Sequence, residues 1–127
     1  MKCKLQNLEK KLDTVFSKWV RFSNAPKGYC KCVSCGKIDA PEQMDAGHFV
    51  DRSHRCLRWD ERNVHPQCRR CNRFKEGQKD SYALFLVNKY GAGILEELNK
   101  QKNNICQFRT LELEQMIKDY QEKLKTL

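Results

Sequence analysis

An α+β fold is what this sequence predicts. Three observations carry that expectation: apolar residues at helical spacing towards both ends, strand-like alternation in the middle, and two Cys-x-x-Cys pairs bracketing that middle. The pairs are Cys32/Cys35 and Cys68/Cys71. A two-residue gap lets both sulfurs of one turn point at a single ion, so four thiolates in two such knuckles complete a tetrahedral shell for structural zinc. The stretch between them, 36–67, is longer than a plain zinc ribbon requires and holds His48 and Asn63, while Asn72 follows the second pair directly. A candidate active site is expected there.

Each element follows from its pattern. Leu5, Leu8, Leu12, Val15, Phe16, Trp19 and Phe22 recur in three- and four-residue steps, predicting an amphipathic helix over 4–23 that Pro26 and Gly28 close. Tyr29 to Val33 reads as a short strand entering the first knuckle. Gln43 to Val50 reads as a second, with Met44, Ala46, His48 and Val50 on one face and Asp45, Gly47 and Phe49 on the other. Asp51 to Asn63 lacks a period and reads as a loop. His65-Pro66 is expected to open a helix carrying Cys68, Cys71, Asn72 and Lys75 before Gly77 stops it. Tyr82, Phe85, Leu86 and Tyr90 mark another helix behind an Asp80/Ser81 cap, Ile94 to Leu98 a short one, and Thr110 caps a last helix along Leu113, Ile117, Tyr120 and Leu124. The expected organisation is one domain, 1–127, with an N-terminal helix (4–23), a zinc-bound core (29–77) and C-terminal helices (80–127).

Composition narrows the partners. A formal net charge of +9, from 25 Lys and Arg against 16 acidic residues, favours an anionic partner, with nucleic acid leading. No apolar run has bilayer-spanning length and Met1 to Leu5 lacks the apolar core of a secretion signal, so the chain is expected in a reducing cytoplasm. In that setting its eight cysteines read as metal ligands and free thiols rather than a disulfide framework. Cys3, Cys56 and Cys106 are expected as ordinary thiols. Cys30 is an alternative ligand on the strand face of Cys32, although Cys32 fits the knuckle better.

The order strand with a late histidine, loop, asparagine, then a knuckle ending in asparagine resembles the HNH (ββα-metal) endonucleases over about residues 30–77. The carrying residues are Gly47-His48-Phe49 and the run from Asn63 through Cys68-Arg69-Arg70-Cys71-Asn72 to Lys75. Arg52-Ser53-His54, Arg58-Trp59-Asp60-Glu61-Arg62-Asn63 and Gln67 to Phe74 are similar, more closely, to the NinG (Rap) family of lambdoid-phage recombination nucleases. This likeness implies a zinc-clipped, HNH-like core flanked by helices, in a phage protein of the host cytoplasm. It further implies a DNA endonuclease selective for branched intermediates such as Holliday junctions and D-loops.

The chemistry fits those residue types. Phosphodiester hydrolysis needs an activated water and a cation that holds charge on the phosphate. The resemblance makes His48 the general base, Asn63 the residue orienting the loop or ring, and Asn72 a ligand of Mg2+ or Mn2+. Gly47 stands where many HNH proteins carry a ligand. A replacement must come from Asp45, Asp60 or Glu61, with Asp45 favoured by proximity. His54 is placed to meet phosphate, and His65 to cap the helix or rest on the zinc cluster. Arg52, Arg55, Arg58, Arg62, Arg69, Arg70 and Arg73, with Lys75, crowd the motif with few interleaved acids, and guanidinium forks suit phosphate oxygens. Trp59 is expected in the local core, with stacking on an unpaired base as the other role. A homodimer would suit cutting of two strands. The competing reading is a zinc-stabilised nucleic-acid-binding module without catalysis; a protein adaptor acting through the terminal helices ranks third.

Overall fold

The computed structural model describes residues 3–74 and 78–127; the expectations placed on Lys75 and Gly77 lie outside the described residues. It is mixed α+β, with two small antiparallel sheets set among helices. Helix α1 spans Lys4–Ser23 as its spacing predicts, burying Leu12, Phe16 and Val20. Strands β1 (Cys30–Lys31) and β2 (Ile38–Asp39) form the first knuckle's hairpin. Strand β3 (Met44–His48) pairs with β4 (Val64–Cys68), with Ala46 opposite Pro66 and His48 opposite Val64. The loop between them holds one short turn of helix, α2 (Arg55–Arg58).

Residues Val64–Cys68 correct the expected helix: they form a strand buried at every position. Pro66 suits a helix start, but here its carbonyl accepts from Val33 N at 3.1 Å on the side away from β3. Since N and O of one strand residue point the same way, the missing N–H costs the β3 ladder nothing. The chain turns helical only after Cys68, as a π-helical turn over Arg70–Phe74.

Three apolar clusters form among the described residues, and the first two include residues of this hairpin. Leu12, Phe16 and Val20 of α1 pack with Trp59, Val64 and with Leu113, Ile117 and Tyr120 of α5 (Thr110–Lys125). Cys30, Cys32, Met44, Cys68 and Cys71 form a second. Leu57 joins Tyr82 and Leu86 of α3 (Lys79–Tyr90) and Ile94 and Leu98 of α4 (Ile94–Lys102) in a third. Arg109 rather than Thr110 occupies the cap of α5, its N–H donating to Glu112 Oε1 at 3.3 Å. Cys56 and Cys106 are not free thiols. The α4–α5 connection folds back against α2 and joins them in a disulfide with Cα atoms 5.2 Å apart. Among the described residues, no helix is long and apolar enough to cross a membrane.

Candidate functional site

The knuckles deliver the expected cluster: the sulfurs of Cys32, Cys35, Cys68 and Cys71 all lie within 4.8 Å of one another, Cys35 and Cys68 at 3.7 Å. Tetrahedral ligands about 2.3 Å from zinc stand about 3.8 Å apart, so the donor set and its spacing fit that ion. Local geometry explains the convergence. Backbone N–H groups of Cys35 and Cys71 donate to the first sulfur of their own knuckle at 3.5 Å, and Gly36, at φ 82°, turns the chain out of the first. Burial raises the Cys32 thiol, yet N–H donors from Cys35, Cys68 and Ser34 outweigh it and bring it to about 7. Burial and neighbouring sulfurs push Cys71 far up, as expected of crowded thiols that need a cation to ionise together. Cys30 is buried beside this cluster but is not one of the four.

Beside the second knuckle lies a cavity of about 1080 Å³. Its walls include His48, Asp45, Asn72, Arg52, Arg69 and Arg73, so residues far apart in sequence meet there. His48 stands at the end of β3, half-buried, with Nε2 2.9 Å from the Arg58 carbonyl. A carbonyl only accepts, so Nε2 carries the proton and Nδ1 keeps the lone pair. Burial pushes the His48 pKa below 6.5, only partly opposed by that carbonyl and by Asp13. The ring is therefore neutral near pH 7.

Asn63 is fully buried and does not line the cavity. Its Oδ1 accepts from Val50 N at 2.8 Å, and its Nδ2 donates to the carbonyls of Val50 and Leu57 at 2.9 and 3.0 Å. It thus pins both ends of the loop whose Arg58 carbonyl holds the imidazole. Asn72, on the π-helical turn, donates from Nδ2 to Asp45 Oδ2 at 3.0 Å. Arg73 grips the same carboxylate with Nε and Nη2, each at 2.9 Å.

Gly47 is explained by packing rather than by chemistry. A Cβ there would stand 1.8 Å from Oε1 and 2.7 Å from Cδ of Gln67, which is fully buried and donates to Ser34 Oγ at 2.8 Å. Asp60 and Glu61 are directed elsewhere, to Arg62 and to Tyr120 with Lys123.

The arginines divide by partner. Arg58 forks onto Asp13, which also accepts from Trp59 Nε1 at 3.0 Å, and Arg55 pairs with buried Glu9. Arg62 folds onto Asp60. Arg52 reaches Asp13 at 3.7 Å from an exposed position, and Arg69 meets Gln43 and the Glu42 carbonyl. Arg70 is exposed. The acids that answer Arg55 and Arg58 come from α1, more than forty positions away. Glu9 and Asp13 do leave a sequence signal, acids one helical turn apart beside the apolar stripe. Trp59 belongs to the core, edge-on to Phe108.

His65 neither caps a helix nor rests on the four-cysteine cluster. It lies buried on β4 between Tyr82, 3.2 Å from Nδ1, and Tyr90, 2.8 Å from Nε2. Tyr82 donates its hydroxyl proton to Gly47 O at 2.7 Å, tying α3 to the strand that ends in His48. Burial, helped by Lys89, brings His65 down to about 4. Its neutrality, the role of Tyr82 and the cavity-lining Arg21 were not foreseen. His54 precedes α2, its N–H donating to Asp51 O at 3.0 Å.

Comparison with known proteins places this architecture. The chain is 35% identical over 97 residues to the ninG protein of Salmonella phage P22, and 37% over 97 residues to that of Escherichia phage lambda. The ninG protein of Escherichia phage 933W is 36% identical over 97 residues. Each alignment covers 76% of this chain but 47% of the relative, so the chain spans about half the length of the curated relatives it matches. No solved structure matches. The family model described as Bacteriophage Lambda NinG protein matches residues 1–127, and the chain with its four-cysteine cluster therefore belongs to the NinG family.

Proposed function

We propose that the chain is a metal-dependent DNA endonuclease with an HNH-like core, acting on branched recombination intermediates in the cytoplasm of a phage-infected cell. The observation that carries this reading is one side chain: His48, neutral, its protonated nitrogen held by a backbone carbonyl, on the wall of a cavity shared with Asp45, Asn72 and four arginines. A base with its lone pair at Nδ1 can take a proton from a water attacking phosphorus. Arg52, Arg69 and Arg73 are placed to hold the phosphodiester against that water.

Zinc in the four thiolates braces the hairpin. The carboxylate of Asp45 and the carboxamide oxygen of Asn72 suit Mg2+ or Mn2+, which prefer oxygen donors. When bound, such an ion supplies charge stabilisation to the phosphate and the leaving oxygen. Asn63 is a positioning residue, acting on His48 through the loop it pins. Branch selectivity rests on the likeness described above, and a homodimer on the need to cut two strands with one active site each. The test is cleavage of labelled junction DNA in Mg2+ or Mn2+. His48→Ala is expected to lose cutting while retaining DNA affinity and zinc. Equal cutting by that variant would remove His48 from the reaction, and binding without product from the unaltered chain would favour the non-catalytic module.

A further inference from the structure

Asp45 contributes a carboxylate of β3 to the cavity, and both its oxygens are engaged. Arg73 Nε and Asn72 Nδ2 share Oδ2 while Arg73 Nη2 takes Oδ1. Asp13, also in the wall, is bound in half-buried contacts to Arg58 and Trp59 that hold α1 to the loop. Asp45 differs in how it is held. Its side chain is 16% exposed and that of Arg73 is 55% exposed, so the carboxylate faces inward and the guanidinium reaches in from solvent.

A guanidinium and a divalent ion compete for the same oxygens. An ion pair half in water is weak, because solvent replaces much of what is lost when it opens. A divalent ion has twice the charge and prefers the oxygens now facing Arg73. Asn72, by giving its N–H to Asp45, keeps its own oxygen as a further donor beside that carboxylate.

We propose that Arg73 is the resident counter-ion of this site, displaced by a divalent metal ion, and that the freed guanidinium then takes a DNA phosphate. Metal and DNA binding are thereby made to reinforce each other, since each draws Arg73 and Asp45 apart. This rests on the endonuclease reading of the cavity. Before metal binds, Arg73 holds Asp45 in place and cancels a negative charge that would otherwise repel the phosphate.

Mn2+ affinity of the zinc-loaded protein, followed without DNA by the electron paramagnetic resonance of free Mn2+, tests the exchange. Arg73→Gln is expected to tighten Mn2+ binding roughly two- to fivefold, the strength of one exposed ion pair. Asp45→Asn should weaken it about tenfold or more. Junction DNA bound with and without Ca2+ gives the second readout: Ca2+ should tighten binding by the unaltered chain and do so less for Arg73→Gln. Unchanged or weaker Mn2+ binding by Arg73→Gln, with Asp45→Asn still impaired, overturns the exchange and leaves the endonuclease reading standing. Mn2+ affinity indifferent to Asp45→Asn also overturns it. The cleavage loss of His48→Ala then decides the reading separately.

Discussion

His48 owes its readiness as a base to two neighbours that do opposite things. Burial disfavours the imidazolium, while the Arg58 carbonyl favours a protonated Nε2; the first prevails and the pKa falls below 6.5. A base works only when neutral. Cleavage by this route is therefore expected to be full above pH 6.5 and to be lost as pH falls through the lowered value, measurable as the acid limb of the rate profile at saturating Mn2+. An acid limb centred above 6.5 would assign the titration to another group. Gly47 illustrates a different constraint, one of space. Gly47→Ala must displace a buried, hydrogen-bonded Gln67 and is expected to cost about 1–3 kcal/mol, read from thermal or urea unfolding.

In the loop between β3 and β4, side-chain hydrogen bonds take the place of the regular ladder it lacks. From the loop's far end, fully buried Asn63 makes three hydrogen bonds, two to Val50 at the near end and one to Leu57 in the middle. Removing the carboxamide bares the buried Leu57 carbonyl, at about 1–3 kcal/mol, and the part-buried N–H and carbonyl of Val50 at less each. Asn63→Ala is thus expected to lose about 3 kcal/mol of stability. In the fraction that remains folded, turnover should fall more than DNA affinity does, because the Arg58 carbonyl no longer holds the ring. Loss of stability with undiminished turnover would confine Asn63 to a structural role. The α1 acids lock the same loop from outside, with Asp13 receiving both Arg58 and Trp59. Of the predicted arginine crowd, Arg55, Arg58 and Arg62 thus also serve the fold, while Arg52, Arg69 and Arg70 are the more exposed candidates for phosphate.

Among the described residues, three small apolar clusters rather than one large core hold the molecule together, and one of them includes three of the four metal-site cysteines, Cys32, Cys68 and Cys71. Structural zinc contributes about 10–16 kcal/mol in small domains, as much as the entire stability of many. Chelation is accordingly expected to unfold the β3–β4 core, visible as lost circular dichroism and returned by added Zn2+. Metal analysis should find one zinc per chain, and Cys68→Ser should lose it. A chain that keeps its spectrum in excess chelator would show that the apolar clusters suffice. The Cys56–Cys106 disulfide joins α2 to the α4–α5 connection, and in the reducing cytoplasm proposed above the same pair stands as two adjacent thiols.

Local pattern was enough to specify the flanking helices, the two knuckles and the strand ending in His48. Periodicity and a two-residue cysteine gap are properties of neighbouring residues, so α1 and the sulfur cluster could be read directly. Val64–Cys68 could not. Its His-Pro start favours a helix locally, and only pairing with Met44–His48 across a fifteen-residue loop makes it a strand. The same holds for partners of charge. That Asp45 meets Arg73, Asp13 meets Arg58, and His65 lies between two tyrosines depends on which surfaces are pressed together when the chain collapses. Spacing along the backbone decides what a segment can become; long-range burial decides which of its polar groups are spent on the fold and which are left facing the cavity.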